Sequence, residues 1–481
     1  MAGGLSSIEH IVVLMLENRS LDHLLGYLYT DAGNKSPAGQ PFEGLTGAES
    51  NPDANGKPVT VFKIEPSTPN AYFMPGADPG EGYMATNSQL FGTNPASNQP
   101  PTSPNATNNG FVTDFAYTLG WQSKSGGSWS IVPGTTANDI MGCFTPEALP
   151  VLSGLAKGFA VCDHWFGSAP TETLPNRAFC MAGTSQGHMD DKTHTFTCPS
   201  IFGTLTQHNL GWVIYGYDAA PLAKSNFPDI SSAPADHFGL FKDFQAAAAG
   251  GTLPAFAFLE PSWGSSGNSQ HPNYDVALGE QLIHDTYYAL RNGPAWDSTL
   301  LIITYDEHGG CYDHVPPPTN ATPPDNTAGE FGFDFTRFGP RVPTVLVSPL
   351  IPAGTVFRVP DGATPLDHTS VLKTVENRWT LPALTARDRA AEDVGAALTL
   401  SAPRTDDPLA GVTVPKSSGA NPSAGQPSHL QEVLADLLSR QYPAGVAKPQ
   451  LHTAADYDAY LASQAPKSGT AAGAQHHHRK D

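Results

Sequence analysis

An α/β fold around a mainly parallel sheet is predicted by three features of the 481-residue sequence. Leu301-Ile302-Ile303-Thr304 is an unbroken apolar and β-branched run, the pattern of a strand covered on both faces. Ile11-Val12-Val13-Leu14-Met15-Leu16 repeats that pattern near the start. Pro254-Ala255-Phe256-Ala257-Phe258-Leu259 reads as a third strand. From Val276 to Leu290 apolar residues then recur at helical spacing through Leu278, Leu282, Ile283 and Tyr287, and Asn292-Gly293 closes the helix. That helix leads straight into the first run, and strand, helix, strand at these lengths is a βαβ unit.

The remaining elements follow in chain order. A short helix is expected from Arg19 to Leu28. A stretch rich in Gly, Pro, Asn, Ser and Thr then runs from about Thr30 to Ser130, read as ordered loops over the active-site face, with Asn108 to Phe115 as a local return to structure. Pro150 to Ala156 reads as a helix and Phe159 to Cys162 as a strand. Ala178 to Gly183 reads as helical, and Pro175 in its first turn puts Thr173 at or just before the N-cap. Trp212 to Tyr217 and Val342 to Val347 are further strands, and Leu366 to Lys373 opens a helix with a capping side chain. Residues 1–400 are read as one catalytic domain with a loop-rich insertion at about 30–130. Residues 401–481 are read as an extension holding one helix, near His429 to Ser439, and a polar tail ending in His476-His477-His478, to which no function is attached.

Composition narrows the function classes. A formal net charge of −20 excludes sequence-independent binding of DNA or RNA, which needs a basic surface, and disfavours docking on anionic membranes. The start carries no basic targeting region and no apolar stretch reaches the length of a spanning helix, so neither a signal peptide nor a transmembrane segment is expected. That assigns no compartment, and the oligomeric state is equally unspecified. Five cysteines, Cys143, Cys162, Cys180, Cys198 and Cys311, show no C-x-x-C pairing; a single Cys180–Cys198 bridge is left open.

Both central strands end in oxygen ligands. The first runs into Glu17-Asn18-Arg19-Ser20 and the other into Asp306-Glu307-His308-Gly309-Gly310. In open α/β sheets ligands sit beyond the carboxyl ends of strands, and three carboxylates converging there repel one another unless a cation lies among them. A hard divalent ion suits such donors, and a softer one becomes eligible if His308 or His314 joins. Thr173, at a helix N-terminus, faces unpaired N–H groups that suit phosphate binding. Taken singly, the two strand-end motifs read equally well as caps or turns, and Thr173, His271 and His368 read more readily as capping or surface residues. Together with His271 and His368 in loops they form the parts of metal-assisted phosphoryl transfer, with Asn176 or Arg177 stabilising the equatorial oxygens.

Four motifs then fall in a recognisable order. They are Glu17-Asn18-Arg19-Ser20 with Asp22-His23; Thr173-x-Pro175-Asn176-Arg177; Tyr305-Asp306-Glu307-x-Gly309-Gly310 with Tyr312-Asp313-His314-Val315; and Asp367-His368-Thr369-Ser370-Val371-Leu372. This series resembles the bacterial phosphoesterase family, which includes phosphatidylcholine-hydrolysing phospholipases C and acid phosphatases of the AcpA type. The resemblance runs from about Ile8 to Trp379.

It implies an alkaline-phosphatase-like three-layer αβα sandwich and one divalent metal ion held by Glu17, Asn18, Asp306 and Glu307. It also implies Thr173 as a metal-touching nucleophile, with His271 and His368, and additionally His314, near the phosphate. Two departures stand out. Thr171-Glu172 replaces the family's Gly-Pro, making Thr171 a rival nucleophile and bringing an extra carboxylate to the site. The family histidine before the segment resembling Asn109-Gly110-Phe111 is missing. The long C-terminal domains of the haemolytic phospholipases are also absent from the sequence.

The expected substrate is a phosphocholine-type diester or, alternatively, a phosphomonoester. Trp121, Trp129, Trp165 and Trp263 lie in predicted loops, where they either offer aromatic faces to a choline head or, more readily, anchor the core. A sulfatase on the same scaffold needs cysteine or serine where Thr173 stands. A non-catalytic binding protein has no need of hydroxyl, cage and histidines together.

Overall fold

The two apolar runs lie side by side at the centre of one sheet. The computed structural model describes residues 4–92, 105–125, 131–192, 194, 196–417, 421, 425–440, 449–467 and 469. Eight strands form the sheet: β1 His10–Leu16, β2 Ala160–Val161, β3 Trp212–Gly216, β4 Phe238–Leu240, β5 Phe256–Leu259, β6 Thr299–Tyr305, β7 Val345–Val347 and β8 Thr355–Val356. Their spatial order is β8-β2-β7-β6-β1-β5-β3-β4. Only β7 runs against its neighbours. The β5-helix-β6 unit is present, with β1 inserted between its two strands and pairing in parallel with both. Every residue of β6 is buried, as is β1 from Ile11 onward, which is why both read as continuous apolar runs.

Two groups of helices flank the sheet. Val276–Arg291 packs on Pro150–Gly158 and Phe241–Gly250; Thr173–Ala182 packs on Ile201–Gln207 and Thr369–Trp379. Glu280 locks the first group. Its buried carboxylate accepts the Val151 and Leu152 N–H groups, at 2.7 and 3.0 Å, so one helix caps another's exposed first turn. Glu280→Ala strands two buried donors and is expected to lower stability by about 2–3 kcal/mol in urea denaturation, with Glu280→Gln losing less because one oxygen still accepts. An alanine variant as stable as the parent removes this role.

The structure corrects three readings. The 30–130 stretch holds two helices, Tyr83–Phe91 and Phe111–Ser125, besides short strands at Ser50–Pro52, Pro58–Thr60 and Phe62–Ile64. Helical periodicity is hidden there because Thr86, Asn87, Ser88, Gln89 and Asp114 turn polar groups inward. Gly110 lets the two helices meet, since a methyl group on it would stand 1.8 Å from the Ser88 carbonyl oxygen. At the Thr173 helix, the N-cap is Glu172 and Thr173 is the first helical residue.

The C-terminal extension contains a second helix, Ala454–Ser463, which buries little beyond Ala454, Tyr460 and Leu461 and so leaves a weak apolar pattern. Both C-terminal helices join a core cluster with Leu174 and Trp263, placing the extension against the Thr173–Ala182 helix. All five cysteines are free. No helix of the described residues is long and apolar enough to cross a membrane. Trp129 and His476 to His478 lie outside the described residues.

Candidate active site

The in-register pairing of β1 and β6, with Leu16 opposite Tyr305, makes Glu17-Asn18 and Asp306-Glu307 leave the sheet at the same edge. Asp306 organises the junction. Its Oδ1 accepts the backbone N–H groups of Asn18 at 2.9 Å and of Glu307 at 2.8 Å, and its Oδ2 accepts Arg177 Nε at 3.0 Å. Gly309 is required by the closeness of the two chains. Its φ is +61°, and a methyl group there would sit 2.1 Å from the Asn18 carbonyl oxygen.

Thr173 meets this junction through its hydroxyl, which donates to Asn18 Oδ1 at 3.1 Å. The side-chain amide of Asn18 in turn donates to Glu81. The helix N-terminus at Thr173 is already engaged, because Asp191 accepts the Leu174 N–H at 2.7 Å and donates its own N–H to Glu172.

This region is a concentration of buried negative charge. Burial, then the neighbouring Asp306 charge, pushes Glu17 up to about 8; the same two causes in the same order raise Glu307 well above the carboxylate range. Glu81 is raised by burial and by Asp78 and Glu307. Glu17 Oε2 and Glu307 Oε1 are buried with no hydrogen-bond partner. The unpaired oxygens of Glu17 and Glu307 are donors of the kind a divalent cation takes, whereas both Asp306 oxygens accept N–H groups and the Asn18 amide bonds Thr173 and Glu81, so the fit to the expected ion rests on Glu17 and Glu307. Alongside them Asp78, Glu81 and His271 each offer a ligand atom within 4.8 Å of the others, making a second acidic group with Glu81 shared through Asn18.

The other anticipated residues divide. His271 is brought to the site: its Nε2 lies 3.8 Å from Glu81 and 3.9 Å from Asp78, its ring stacks on Tyr274, and burial pushes its pKa down to about 3, so it is neutral. Arg19 holds its loop, donating to the Gln270 and His271 carbonyls at 2.6 and 3.1 Å. His368 approaches from beneath, with Nε2–H donating to the Asp306 carbonyl at 2.5 Å and Nδ1 accepting Trp165 Nε1–H at 3.4 Å. Both its nitrogens are engaged, one on Asp306 and the other on Trp165, so neither is left for a phosphate.

Four expectations are corrected. Asn176 spends its side chain on the Ala169, Thr171 and Glu172 backbone, so it shapes the loop before Thr173. Thr171 is no rival nucleophile, since its buried hydroxyl donates to the Met189 carbonyl at 2.6 Å. His314 pairs with Asp22 at 2.6 Å in a network with Arg341 and Asp313, apart from Thr173. His308 donates to Gln89 Oε1 at 2.6 Å and holds a helix to the catalytic strand. Arg177 is present as Asp306's partner, lying 4.7 Å from the Trp263 ring centre, with Nη1 buried and unpartnered.

Sequence reading missed Asp78, Glu81 and Asp191, while the extra carboxylate of Glu172 was foreseen. The signal for the first two was two acids inside Pro75-Gly76-Ala77-Asp78-Pro79-Gly80-Glu81-Gly82, a loop too rich in turn formers to be a solvated charge run. A cleft of about 230 Å³ opens over this loop, lined by Asp78, Glu81, Asp114 and Glu172 among others; Glu81 also accepts from Asn18, the hydrogen-bond partner of Thr173.

The model of the Phosphoesterase family matches residues 8–382. This chain belongs to the phosphoesterase family. The match spans every motif at the strand ends and stops just past the Thr369–Trp379 helix. Relatives of this phosphoesterase include non-specific phospholipase C1 of Arabidopsis thaliana, 37% identical over 79% of this chain and 69% of that protein, and phospholipase C A of Mycobacterium tuberculosis, 28% identical over 83% and 79%. A protein of the alkaline phosphatase superfamily from Vibrio parahaemolyticus superposes with a TM-score of 0.32 at 11% identity, over 51% of this chain and 63% of that one. This phosphoesterase is therefore a hydrolase of phosphoric ester bonds on a mixed α/β scaffold.

Proposed function

We propose that this phosphoesterase is a metal-dependent, phospholipase C-like enzyme that cleaves phosphocholine-type diesters with Thr173 as nucleophile. The observation that carries the reading is the Thr173 hydroxyl held on Asn18 beside the unpaired oxygens of Glu17 and Glu307. Glu17, Asn18, Asp306 and Glu307 would hold one divalent ion. Such an ion supplies charge stabilisation at phosphoryl oxygens and eases ionisation of a nearby hydroxyl.

The protein's own groups do the rest. Asn18 orients the Thr173 oxygen, while Arg177 and His368 hold Asp306 from its carboxylate and its carbonyl. The Thr173 oxygen bonds to phosphorus as the bond to the alcohol breaks, the proton Thr173 loses being matched by the one the alcohol gains; water then cleaves the phosphocholine ester on Thr173 and returns its proton. Asp78, pushed up to about 8 by burial, keeps a proton at neutral pH, and His271 Nε2 lies 3.9 Å away, so this pair can hand a proton to the leaving oxygen.

Diester preference rests on charge. The described lining of the cleft carries no lysine or arginine, so nothing there offsets the second charge of a dianionic monoester, and its four carboxyl groups, raised by burial, set no cation against a choline head. Hydrolysis of p-nitrophenyl phosphorylcholine and p-nitrophenyl phosphate, measured side by side with and without chelator, tests the reading. The choline diester is expected to be preferred and both rates to vanish on chelation; preference for the monoester would move the chain to the acid phosphatases.

A further inference from the structure

The rim of the cleft has a composition that hydrolysis of a soluble ester does not require. Among the described residues the exposed large hydrophobic side chains are Met84, Tyr117, Trp121 and Leu278, and the first three border this one cleft, at 39, 48 and 52% exposure. Tyr117 and Trp121 stand one helical turn apart on Phe111–Ser125, while Phe111, Val112 and Phe115 of the same helix are buried. Met84 projects from the first turn of Tyr83–Phe91.

The platform beneath is braced to the catalytic strand through one side chain. Gln89 donates to the Gly80 carbonyl at 2.6 Å and to Asp114 at 2.9 Å, and it accepts from His308 at 2.6 Å. Rim and catalytic carboxylates therefore keep a set relation.

We infer that Met84, Tyr117 and Trp121 form a lip that seats on the surface of a zwitterionic lipid bilayer, so that one choline-class headgroup enters the acidic cleft while its glycerol stays at the interface. The inference rests on the diesterase reading above and adds the physical form of the substrate. Tryptophan and tyrosine pair an apolar body with a polar edge and settle at a water–lipid boundary, and methionine adapts to an irregular apolar surface. Behind the lip the described wall carries Asp78, Glu81, Asp114 and Glu172 and no lysine or arginine, so a quaternary ammonium group meets carboxyl oxygens and aromatic faces with no opposing cation. The chain's net charge of −20 opposes an anionic leaflet, so the surface the lip fits is a neutral one.

The test uses the full chain and a Tyr117→Ala/Trp121→Ala variant, with melting temperature confirming that these exposed changes leave the fold intact. Co-sedimentation with phosphatidylcholine vesicles is expected to fall at least about tenfold in the variant, and to be restored in large part by Tyr117→Phe/Trp121→Phe. Phosphatidylserine added to the vesicles is expected to weaken binding of the parent. Turnover of vesicle lipid is expected to fall with binding, and by a larger factor than any change in turnover of soluble p-nitrophenyl phosphorylcholine.

The lip assignment is overturned if the parent does not sediment with phosphatidylcholine, or if the double variant binds as the parent does. It is likewise overturned if light scattering shows that the variant merely loses a dimer, which would make the patch a contact between copies. Cleavage of neither diester overturns the diesterase reading alone, because sedimentation decides the lip without catalysis.

Discussion

Thr173→Ala is expected to reduce kcat on a phosphodiester by at least about 10³-fold, with the melting temperature nearly unchanged. The hydroxyl it removes makes one hydrogen bond, to Asn18 Oδ1 at 3.1 Å, at the first residue of a helix whose cap is supplied by other groups. Losing that bond costs about 1 kcal/mol of stability at most. Thr171 is no substitute, since it spends its hydroxyl on the Met189 carbonyl. Thr173→Ser keeps the oxygen but loses the methyl group that restricts its rotamer, and is expected to retain activity within about tenfold. Thr171→Ala should leave kcat within a small factor while lowering stability. Steady-state rates for the three variants separate nucleophile from scaffold; an alanine variant at Thr173 that keeps a tenth of the parent rate would end the assignment.

Removal of the metal is expected to abolish activity and to make stability fall with rising pH. Without a cation, Glu17 has a folded-state pKa near 8 against an ordinary value of 4.5, from burial first and Asp306 second, and Glu307 is raised for the same reasons. The sign follows from linkage. A carboxyl whose folded pKa is raised contributes stability that is fully present below the unfolded value and is lost as pH climbs toward the folded one. For Glu17 the window is therefore pH 4.5 to about 8, with at most about 1.4 kcal/mol lost per pH unit for each such group.

A bound divalent ion reverses this, because it requires the ionised carboxylates and binds more tightly as they lose their protons. Melting curves at pH 5 and pH 8, with chelator and with added divalent metal, give the comparison. The chelated protein should lose stability between the two, the loaded protein should not, and about one ion per chain should be found by elemental analysis. If chelator leaves the pH 8 melting temperature and the turnover untouched, the strand-end carboxylates are not a metal cage. Asp306→Asn is expected to act like chelation, since Asp306 also anchors Arg177 and the Asn18 backbone.

Much of the site was legible because its parts are local in sequence. Apolar runs that stop at Glu17-Asn18 and Asp306-Glu307 say that carboxylates leave a buried sheet at its edge, and Pro175-Asn176-Arg177 marks the first turn of a helix. What those side chains do was less legible. Asn176 and His368 carry groups suited to touching a phosphate, yet both are consumed by backbone partners that only packing supplies. Arg177 looks like an anion binder and serves as the partner of Asp306. The Phe111–Ser125 helix escaped notice because its neighbour hides polar groups from solvent, against the assumption on which periodicity depends.

The sequence by itself determined the sheet's two central strands, the chemical identity of the groups at their ends and the family to which the chain belongs, since each is written in contiguous residues. Only the tertiary structure decided that Asn18 lies against Asp306, 288 positions away, that a Gly/Pro loop carries Asp78 and Glu81 to the same junction, and that Met84, Tyr117 and Trp121 share one rim. Those contacts join segments whose local patterns carry no trace of one another. They form because burying two strands and the helices over them leaves each loop one place to go.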